Sequence, residues 1–216
     1  MAKDNALQQV VLAALNFDPS VDATQINVVV EDGVVTLSGR VPSYAQKHAA
    51  EMAVAAVRGV EAVAEEIEVR LPAASRRSDA ELALMARERL DGDVALPGER
   101  LGVQVERGWV TLTGEVDWRF QKELARESLR RLRGLVGISN QITIRSSPNA
   151  SDIRDSVIQA LSRCWGFADA RIDVRVEEGR LSLSGTVRSP HERDVAASMA
   201  WSAPGVTEVE NDIEIG

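Results

Sequence analysis

Apolar and polar residues alternate strictly at three places along the chain, each time around a glycine. The three segments read EDGVVTLSGRV at 31–41, ERGWVTLTGEV at 106–116 and EEGRLSLSGTV at 177–187. Alternation with a period of two is typical of a strand with one buried face. The two residues between the alternating runs, Asp32 and Gly33 in the first segment, match a tight hairpin turn that requires a positive φ. Each segment therefore predicts a β-hairpin.

The same apolar pattern continues beyond each hairpin, so the chain contains three copies of one unit. After the hairpin the period becomes helical, and a third alternating strand completes the copy. Upstream of the hairpin, a helix of about three turns opens each copy. The order is αββαβ, and successive turn glycines are 75 and then 71 residues apart. We predict an α+β fold of three tandem sandwiches, each a three-stranded sheet covered by two helices.

Three glycines recur at equivalent places in every copy. The first forms the hairpin turn, and the second is expected to end the hairpin where a side chain would crowd the departing chain. The third is expected to cap the second helix in a left-handed conformation. These nine structural glycines are Gly33, Gly39, Gly59, Gly108, Gly114, Gly134, Gly179, Gly185 and Gly205.

Spacing also predicts which residues of the later elements face the core. The third strand of the middle copy is expected to run unbroken through Ile138, Ile142 and Ile144. The second helices are expected to face their sheets with residues four positions apart. Those residues are Ala49, Ala53, Val57, Leu124, Ser128, Leu132, Val195, Met199 and Ala203.

The repeat gives three predicted domains, at 1–71, 77–146 and 149–216. PAASRRS at 72–78 and SSPNA at 146–150 have the composition of linkers. Each copy offers only about seventeen buried apolar positions, many of them alanine or valine, so a single copy has little core to stabilise it. We therefore expect the copies to dock on one another, and a homo-oligomer remains open.

Composition narrows the class of protein. The chain has 44% hydrophobic and 27% charged residues and a formal net charge of -8, which disfavours nucleic acid as a partner. No stretch approaches the ~20 apolar residues of a transmembrane segment. The first residues lack the apolar run of a secretion signal, so we expect a cytoplasmic protein, or a periplasmic one if a signal has been removed.

The hairpin and the strand after the second helix together resemble the BON domain family. The family pattern of a glycine turn, alternating valine and leucine and a second glycine matches all three hairpins, and RGVEAVAEEIEV and PGVTEVENDIEI match its last strand. The resemblance covers nearly the whole chain. It implies the αββαβ sandwich and association with phospholipid membranes or envelope components rather than catalysis. Because the family includes osmotically induced periplasmic proteins of bacteria, it also implies a bacterial stress response.

Residue types that carry catalysis or bind metals form no set in this chain. His48 and His191 occupy different positions in their copies, so both are expected on the solvated surface. Cys164 is the single cysteine, has no partner for an intramolecular disulfide, and is expected to be a buried structural thiol. We therefore expect no catalytic residue, no cofactor and no metal, and do not expect an enzyme.

The second helix of the middle copy, in WRFQKELARESLRRLRG, carries a basic stripe flanked at its start by Trp118 and Phe120. Three interpretations remain open: a solvated face, docking against the acidic neighbouring copies, or binding to an anionic lipid or another anionic partner. The five cations fall within about 80° on a helical wheel. They are Arg119, Lys122, Arg126, Arg130 and Arg133.

Trp201 occupies in the third copy the position of Arg130 in the second. An outward tryptophan is either an interface residue that covers the next copy or a membrane anchor. The sequence thus favours a non-enzymatic binding module that recognises an anionic phospholipid surface or an envelope component through outward helix faces. The alternative is a structural or scaffolding protein that binds other proteins, or itself, without binding lipid.

Overall fold

Each copy of the repeat folds as two helices and a small mixed sheet. The computed structural model describes residues 2–145, 150–164 and 171–216. The first copy comprises α1 (Ala2–Phe17), β1 (Ile26–Glu31), β2 (Val34–Val41), α2 (Tyr44–Ala55) and β3 (Ala62–Val69). The second comprises α3 (Asp79–Asp91), β4 (Leu101–Glu106), β5 (Trp109–Val116), α4 (Arg119–Leu129), β6 (Gly137–Asn140) and β7 (Thr143–Ile144). The third comprises α5 (Ala150–Arg163), β8 (Arg171–Glu177), β9 (Arg180–Val187), α6 (Pro190–Trp201) and β10 (Glu208–Ile215).

The second strand of each copy lies in the middle of its sheet. The orders are β1-β2-β3, β4-β5-β6 and β8-β9-β10, with β7 also paired to β5. The hairpin strands β1 and β2 are antiparallel, whereas β3 runs parallel to β2. A parallel neighbour needs a crossover connection, which the second helix provides. The predicted α+β fold of three αββαβ units is confirmed, and the strands form three separate sheets.

The hairpin turns have the conformation that the glycine pattern predicts. Asp32 has φ 48° and Gly33 has φ 81°, and two positive φ values define the primed turn that suits a twisted hairpin. All nine repeated glycines have a positive φ. Gly39 lies inside β2 and pairs with Ile26, the first residue of β1, so the pairing of the two hairpin strands ends there as predicted. A Cβ atom there would collide with the carbonyl oxygen of Gln25, so close backbone approach is what excludes a side chain.

The second helices end earlier than predicted. α2 ends at Ala55, and the N–H groups of Val57 and Val60 then bond three residues back, to Val54 and Val57. The chain thus tightens into turns before it reaches Gly59, whose φ is 98°. The third glycine of each copy therefore turns the chain toward the last strand and does not cap the helix.

The buried face of the second helices lies one residue beyond the predicted one. The nine expected residues are half-buried, apart from the buried Ala203. Alanine dominates the buried positions because a small side chain lets the helix backbone approach the sheet closely. The fully buried residues on these helices are Ala50, Val54, Ala125, Leu129, Ala196 and Ala200.

The last strand of the second copy is interrupted, contrary to the prediction of one continuous strand. It forms β6 and β7, separated at Gln141 and Ile142. Gln141 still donates its N–H to the Leu112 carbonyl at 2.8 Å, but the N–H of Ile142 is directed to the Asn140 side chain at 3.3 Å. Ile213 makes the same local bond to Asn211 within the continuous strand β10, so this bond alone does not explain the interruption.

By its internal contacts the chain divides into two compact units. One consists of Met1–Arg89, Val103–Thr111 and Ser128–Ser139, and the other of Leu90–Gly102, Leu112–Glu127 and Asn140–Gly216. The first unit contains the core of the first copy and the second contains that of the third, while the second copy contributes to both. The segment 72–78 includes a turn of 3-10 helix at Ala73–Ser75. The predicted linker at 146–150 lies outside the described residues except for Ala150.

Candidate functional site

The start of α4 presents two aromatic rings beside basic residues. The rings of Trp118 and Phe120 have centroids 6.1 Å apart, and Phe120 is 55% exposed. Lys122 and Arg126 follow along the helix and are half-buried. The Arg126 guanidinium is 3.9 Å from the Glu123 carboxylate, one helical turn away. We call the set of Trp118, Phe120, Lys122 and Arg126 the α4 patch.

Trp118 stands where the other two copies place a helix-capping serine. Ser43 and Ser189 each accept the backbone N–H three residues further on, which is the usual N-cap bond. Trp118 cannot supply that acceptor. The Gln121 side chain instead accepts the N–H groups of Asp117 and Trp118, at 3.2 and 3.3 Å. The second copy thus keeps an ordered helix start while it presents an aromatic ring.

Gln121 is the residue of this region that the sequence interpretation missed. Its side chain is 6% exposed, and its amide donates to the Ala95 carbonyl at 2.9 Å. The equivalent positions hold Gln46 and Glu192, the residue types of a capping box. A search for capping boxes would have found it, because glutamine or glutamate follows the cap position by three residues in every copy.

Arg119, the first of the five predicted cations, contacts Trp201. Its guanidinium carbon lies 3.8 Å from the centroid of the indole ring. This is a cation–π geometry, in which the face of the ring attracts the cation. Both side chains are half-buried, and Trp201 also packs against the core of the third copy. Arg119 is therefore engaged within the second compact unit.

A backbone bond adjoins this contact. The N–H of Gly205 donates to the carbonyl oxygen of Asp117 at 3.0 Å. The Asp117 carboxylate pairs with Arg100 through two bonds of 3.1 and 3.3 Å, an arrangement that orients both groups. Segment 117–119 of the second copy therefore contacts the end of α6 and the turn after it in the third.

Arg130 and Arg133 do not belong to the helix that carries the other cations. α4 ends at Leu129, and both arginines lie in the turns that follow it. The wheel that placed five cations on one stripe assumed a longer helix, so the described helix carries only Arg119, Lys122 and Arg126. Arg130 and Arg133 fall in the first compact unit, whereas those three fall in the second.

The two histidines and the single cysteine are the other residues that the sequence analysis considered for chemistry. His48 is buried, stacks on Tyr44 with ring centroids 6.3 Å apart and lies 3.5 Å from Glu51, so its expected solvated position is wrong. His191 is exposed as expected. Cys164 is half-buried beside the core of the third copy. Within residues 2–145, 150–164 and 171–216, no three side chains of the metal-binding types gather into a site.

Comparison with known proteins agrees with the geometry of the repeat. The BON domain model matches residues 3–70, 78–146 and 149–216. The chain belongs to the BON domain family. BON proteins of this kind are generally non-catalytic. In the described part of the chain, the helices are too short or too polar to cross a membrane.

Two curated relatives show significant sequence similarity. Osmotically-inducible protein Y of Escherichia coli strain K12 is 29% identical over 143 residues, which cover 64% of this chain and 71% of that protein. An uncharacterized protein encoded in the gshII 5' region of Anaplasma centrale is 50% identical over 44 residues, or 20% of this chain and 29% of that protein. The first similarity makes this chain a distant relative of an osmotically inducible BON protein.

Two solved structures of CdsD, a structural protein of the type III secretion system of Chlamydia trachomatis, also match. One covers 98% of this chain and 92% of the solved chain, and the other, of the C-terminal domain, covers 97% of each. Both have 16% sequence identity and a TM-score of 0.28.

Proposed function

We propose that this BON protein is a non-enzymatic module that binds anionic phospholipid surfaces through the α4 patch. The observation that carries the proposal is the exposed ring of Phe120 beside Trp118 and the cations of Lys122 and Arg126. An apolar ring enters the interface between lipid headgroups and acyl chains, while cations remain with the anionic headgroups. The α4 patch offers both parts on one helix.

The charges of the second copy support this choice of surface. Residues 1–71 carry 5 basic and 10 acidic side chains and residues 146–216 carry 7 and 12, whereas residues 79–145 carry 11 of each. The second copy is therefore neutral on a chain that is otherwise acidic. An anionic membrane repels an acidic surface. The second copy therefore experiences less electrostatic repulsion from such a membrane than the first or the third.

The expected attachment is weak and reversible. A cation near an anionic membrane contributes about 1 kcal/mol, and Lys122 and Arg126 together contribute about 2 kcal/mol at low salt. The contribution falls as ionic strength rises, because the Debye length shortens to about 8 Å at physiological salt. Arg119 adds less, since its guanidinium faces the Trp201 ring.

Co-sedimentation with vesicles tests the proposal. The full chain should bind vesicles that contain phosphatidylglycerol and not vesicles of phosphatidylcholine alone, and salt should release it. The double variant Lys122→Glu with Arg126→Glu should weaken binding at least about thirtyfold, the effect of losing two cations. Phe120→Ser should weaken binding without changing its salt dependence.

A matched control reverses two arginines elsewhere. Arg154 and Arg163 lie exposed on α5, so Arg154→Glu with Arg163→Glu makes the same change in net charge away from the α4 patch. This control should bind vesicles within a factor of about two of the parent chain. Equal losses in both double variants would show that net charge alone governs binding, and the proposal would then fail.

A second function, as a scaffold between proteins, is favoured by the contacts of segment 117–119. Arg119 and Asp117 join the second copy to the third through Trp201 and Gly205, so outward positions of this repeat can mediate protein contacts. If the chain binds no vesicle, and analytical ultracentrifugation shows a concentration-dependent oligomer that Phe120→Ser disrupts, scaffolding replaces lipid binding as the function of the α4 patch.

A further inference from the structure

A cleft in the first compact unit is lined by four arginines and two carboxylates. Its volume is about 660 Å³. The end of β3, the segment 72–78, the start of α3 and the turn between β4 and β5 enclose it. Its ionisable residues are Glu68, Arg70, Arg76, Arg77, Asp79 and Arg107.

The two carboxylates of this arginine cleft already have partners. The Glu68 carboxylate lies 3.1 Å from the Arg70 guanidinium and 3.4 Å from that of Arg40. The two oxygens of Asp79 each accept a backbone N–H at 2.8 Å, one from Arg107 and one from Gly108. Asp79 thereby fixes the hairpin turn at the cleft wall, and neither carboxylate neutralises the three other arginines.

Backbone carbonyls hold two of those three arginines, and the Arg77 cation also helps to lower the pKa of Glu81. The Arg76 guanidinium donates to the Leu71 carbonyl at 3.3 Å, and that of Arg77 donates to the Arg76 carbonyl at 2.7 Å. Carbonyl acceptors orient a guanidinium without cancelling its charge. Among the described residues, the Arg107 side chain makes no ion pair. Arg76, Arg77 and Arg107 therefore leave a cationic cleft on a chain whose net charge is -8.

One arginine of the cleft, Arg77, packs closely against Gly134 in the cleft wall. A Cβ atom added at Gly134 would lie 2.8 Å from the Cβ of Arg77, so the absence of a side chain there makes room for the Arg77 stem. Val136 continues the wall, and its N–H donates to the Gly108 carbonyl at 2.8 Å. This backbone bond joins two residues of the cleft wall.

We propose that the arginine cleft binds a small soluble anion that carries two or more phosphate groups. The planar fork of a guanidinium matches phosphate oxygens, and three such forks exceed what one phosphate needs. The volume falls within the range of small-molecule sites, about 300–1,000 Å³. Among the described residues, no aromatic side chain lines the cleft, so recognition rests on the phosphates and not on stacking against a base. This inference is independent of lipid binding by the α4 patch.

Isothermal titration calorimetry of the full chain with inorganic pyrophosphate tests the inference. We expect saturable one-site binding, and Arg107→Ala should weaken it at least about tenfold by removing one charged partner. Arg107→Lys, which keeps the charge and loses the fork, should weaken it less. Arg107 is the residue of choice because, among the described residues, its side chain makes no ion pair, so thermal melting should remain nearly unchanged.

Two controls separate this site from the α4 patch and from general attraction. Arg180→Ala removes an exposed arginine that pairs with Glu208, and Lys122→Glu with Arg126→Glu removes the lipid-binding cations. Both variants should bind pyrophosphate as the parent chain does, and Arg107→Ala should bind phosphatidylglycerol vesicles as the parent does. Lack of saturable heat at about 1 mM pyrophosphate, or equal weakening by Arg180→Ala, overturns the inference. The inference is also overturned if the chain binds vesicles more tightly than pyrophosphate and Arg107→Ala weakens that vesicle binding. The cleft would then be a site for a lipid headgroup.

Discussion

The guanidinium of Arg119 lies over the ring of Trp201 at 3.8 Å, which joins the second copy of the repeat to the third. Neither side chain is part of the repeated pattern. The position of Arg119 holds Tyr44 and Pro190 in the other copies, and the position of Trp201 holds Ala55 and Arg130. Contacts between copies therefore arise at positions where the repeat leaves the side chain free to change.

A double-mutant cycle should detect this contact. Arg119→Ala and Trp201→Ala, measured alone and together by urea unfolding, should show a coupling free energy of about 0.5–2 kcal/mol. The parallel cycle of Arg175→Ala with Trp201→Ala should be additive within about 0.5 kcal/mol, because Arg175 pairs with Asp173 instead. Additivity in both cycles would show that the stacked geometry contributes nothing to stability.

The fold could be predicted from the sequence because its requirements are local and occur three times. Alternating apolar residues define one face of each sheet, and the positive φ at Gly33 and its equivalents favours glycine whatever surrounds it. Repetition removes chance matches, since an accidental pattern does not recur with the same loop lengths. The hairpins and the helix order follow from these features alone.

The candidate site was less predictable because it depends on where a helix ends. α4 ends at Leu129, yet basic residues continue as far as Arg133. The positions of charged side chains do not show where the helical backbone hydrogen bonds end. Contacts such as that of Gly205 with Asp117 join residues far apart in the chain. No period in the sequence encodes them. The buried position of His48 was missed for a similar reason, since stacking on Tyr44 makes an otherwise polar ring part of a covered surface.

Two glycines of the first copy should respond differently to substitution. Gly59 has φ 98°, but a Cβ there would meet only the Leu7 side chain, at an ordinary contact distance of 3.7 Å, so Gly59→Ala should cost only the left-handed penalty of about 1–2 kcal/mol. Gly39 has φ 124°, and a Cβ there would collide with the Gln25 carbonyl. Gly39→Ala should therefore cost about 4 kcal/mol or more, because β1 and β2 must separate. Urea unfolding of both variants measures the difference, and equal losses would refute the role of close backbone approach.

Asn140 ties α4 to the last strand of the second copy. Its amide donates to the Lys122 carbonyl at 2.8 Å, and its oxygen accepts the Ile142 N–H at 3.3 Å. Asn140→Ala leaves both backbone groups without that partner and should cost about 1–3 kcal/mol. Asn211 makes the equivalent bonds in the third copy at a more exposed site, so Asn211→Ala should cost less. Thermal unfolding would contradict this account if Asn211→Ala were the more damaging change.

Acid should weaken the start of α3 through Glu81. Its carboxylate accepts the Ser78 N–H at 2.9 Å and the Ser78 hydroxyl at 2.8 Å, and these bonds, with a smaller contribution from the Arg77 cation, lower the pKa of Glu81 below its ordinary value of 4.5. A lowered pKa in the folded state means that the stabilisation is present above the ordinary value and is lost as pH falls through the lower, folded value. Protonation of Glu81 removes the negative charge of the carboxylate and weakens both bonds.

Ser78→Ala separates the two bonds, because it removes the hydroxyl and retains the backbone N–H. The pKa of Glu81 should rise in this variant but stay below 4.5, since the backbone bond is the larger cause of the shift. NMR titration of the Glu81 side-chain carboxyl carbon measures this directly. Ser43→Ala, which removes the N-cap of α2, serves as the control and should leave the Glu81 titration unchanged. A Ser78→Ala titration that overlays the parent curve would show that the hydroxyl makes no contribution, and the capping box would then act through the backbone alone.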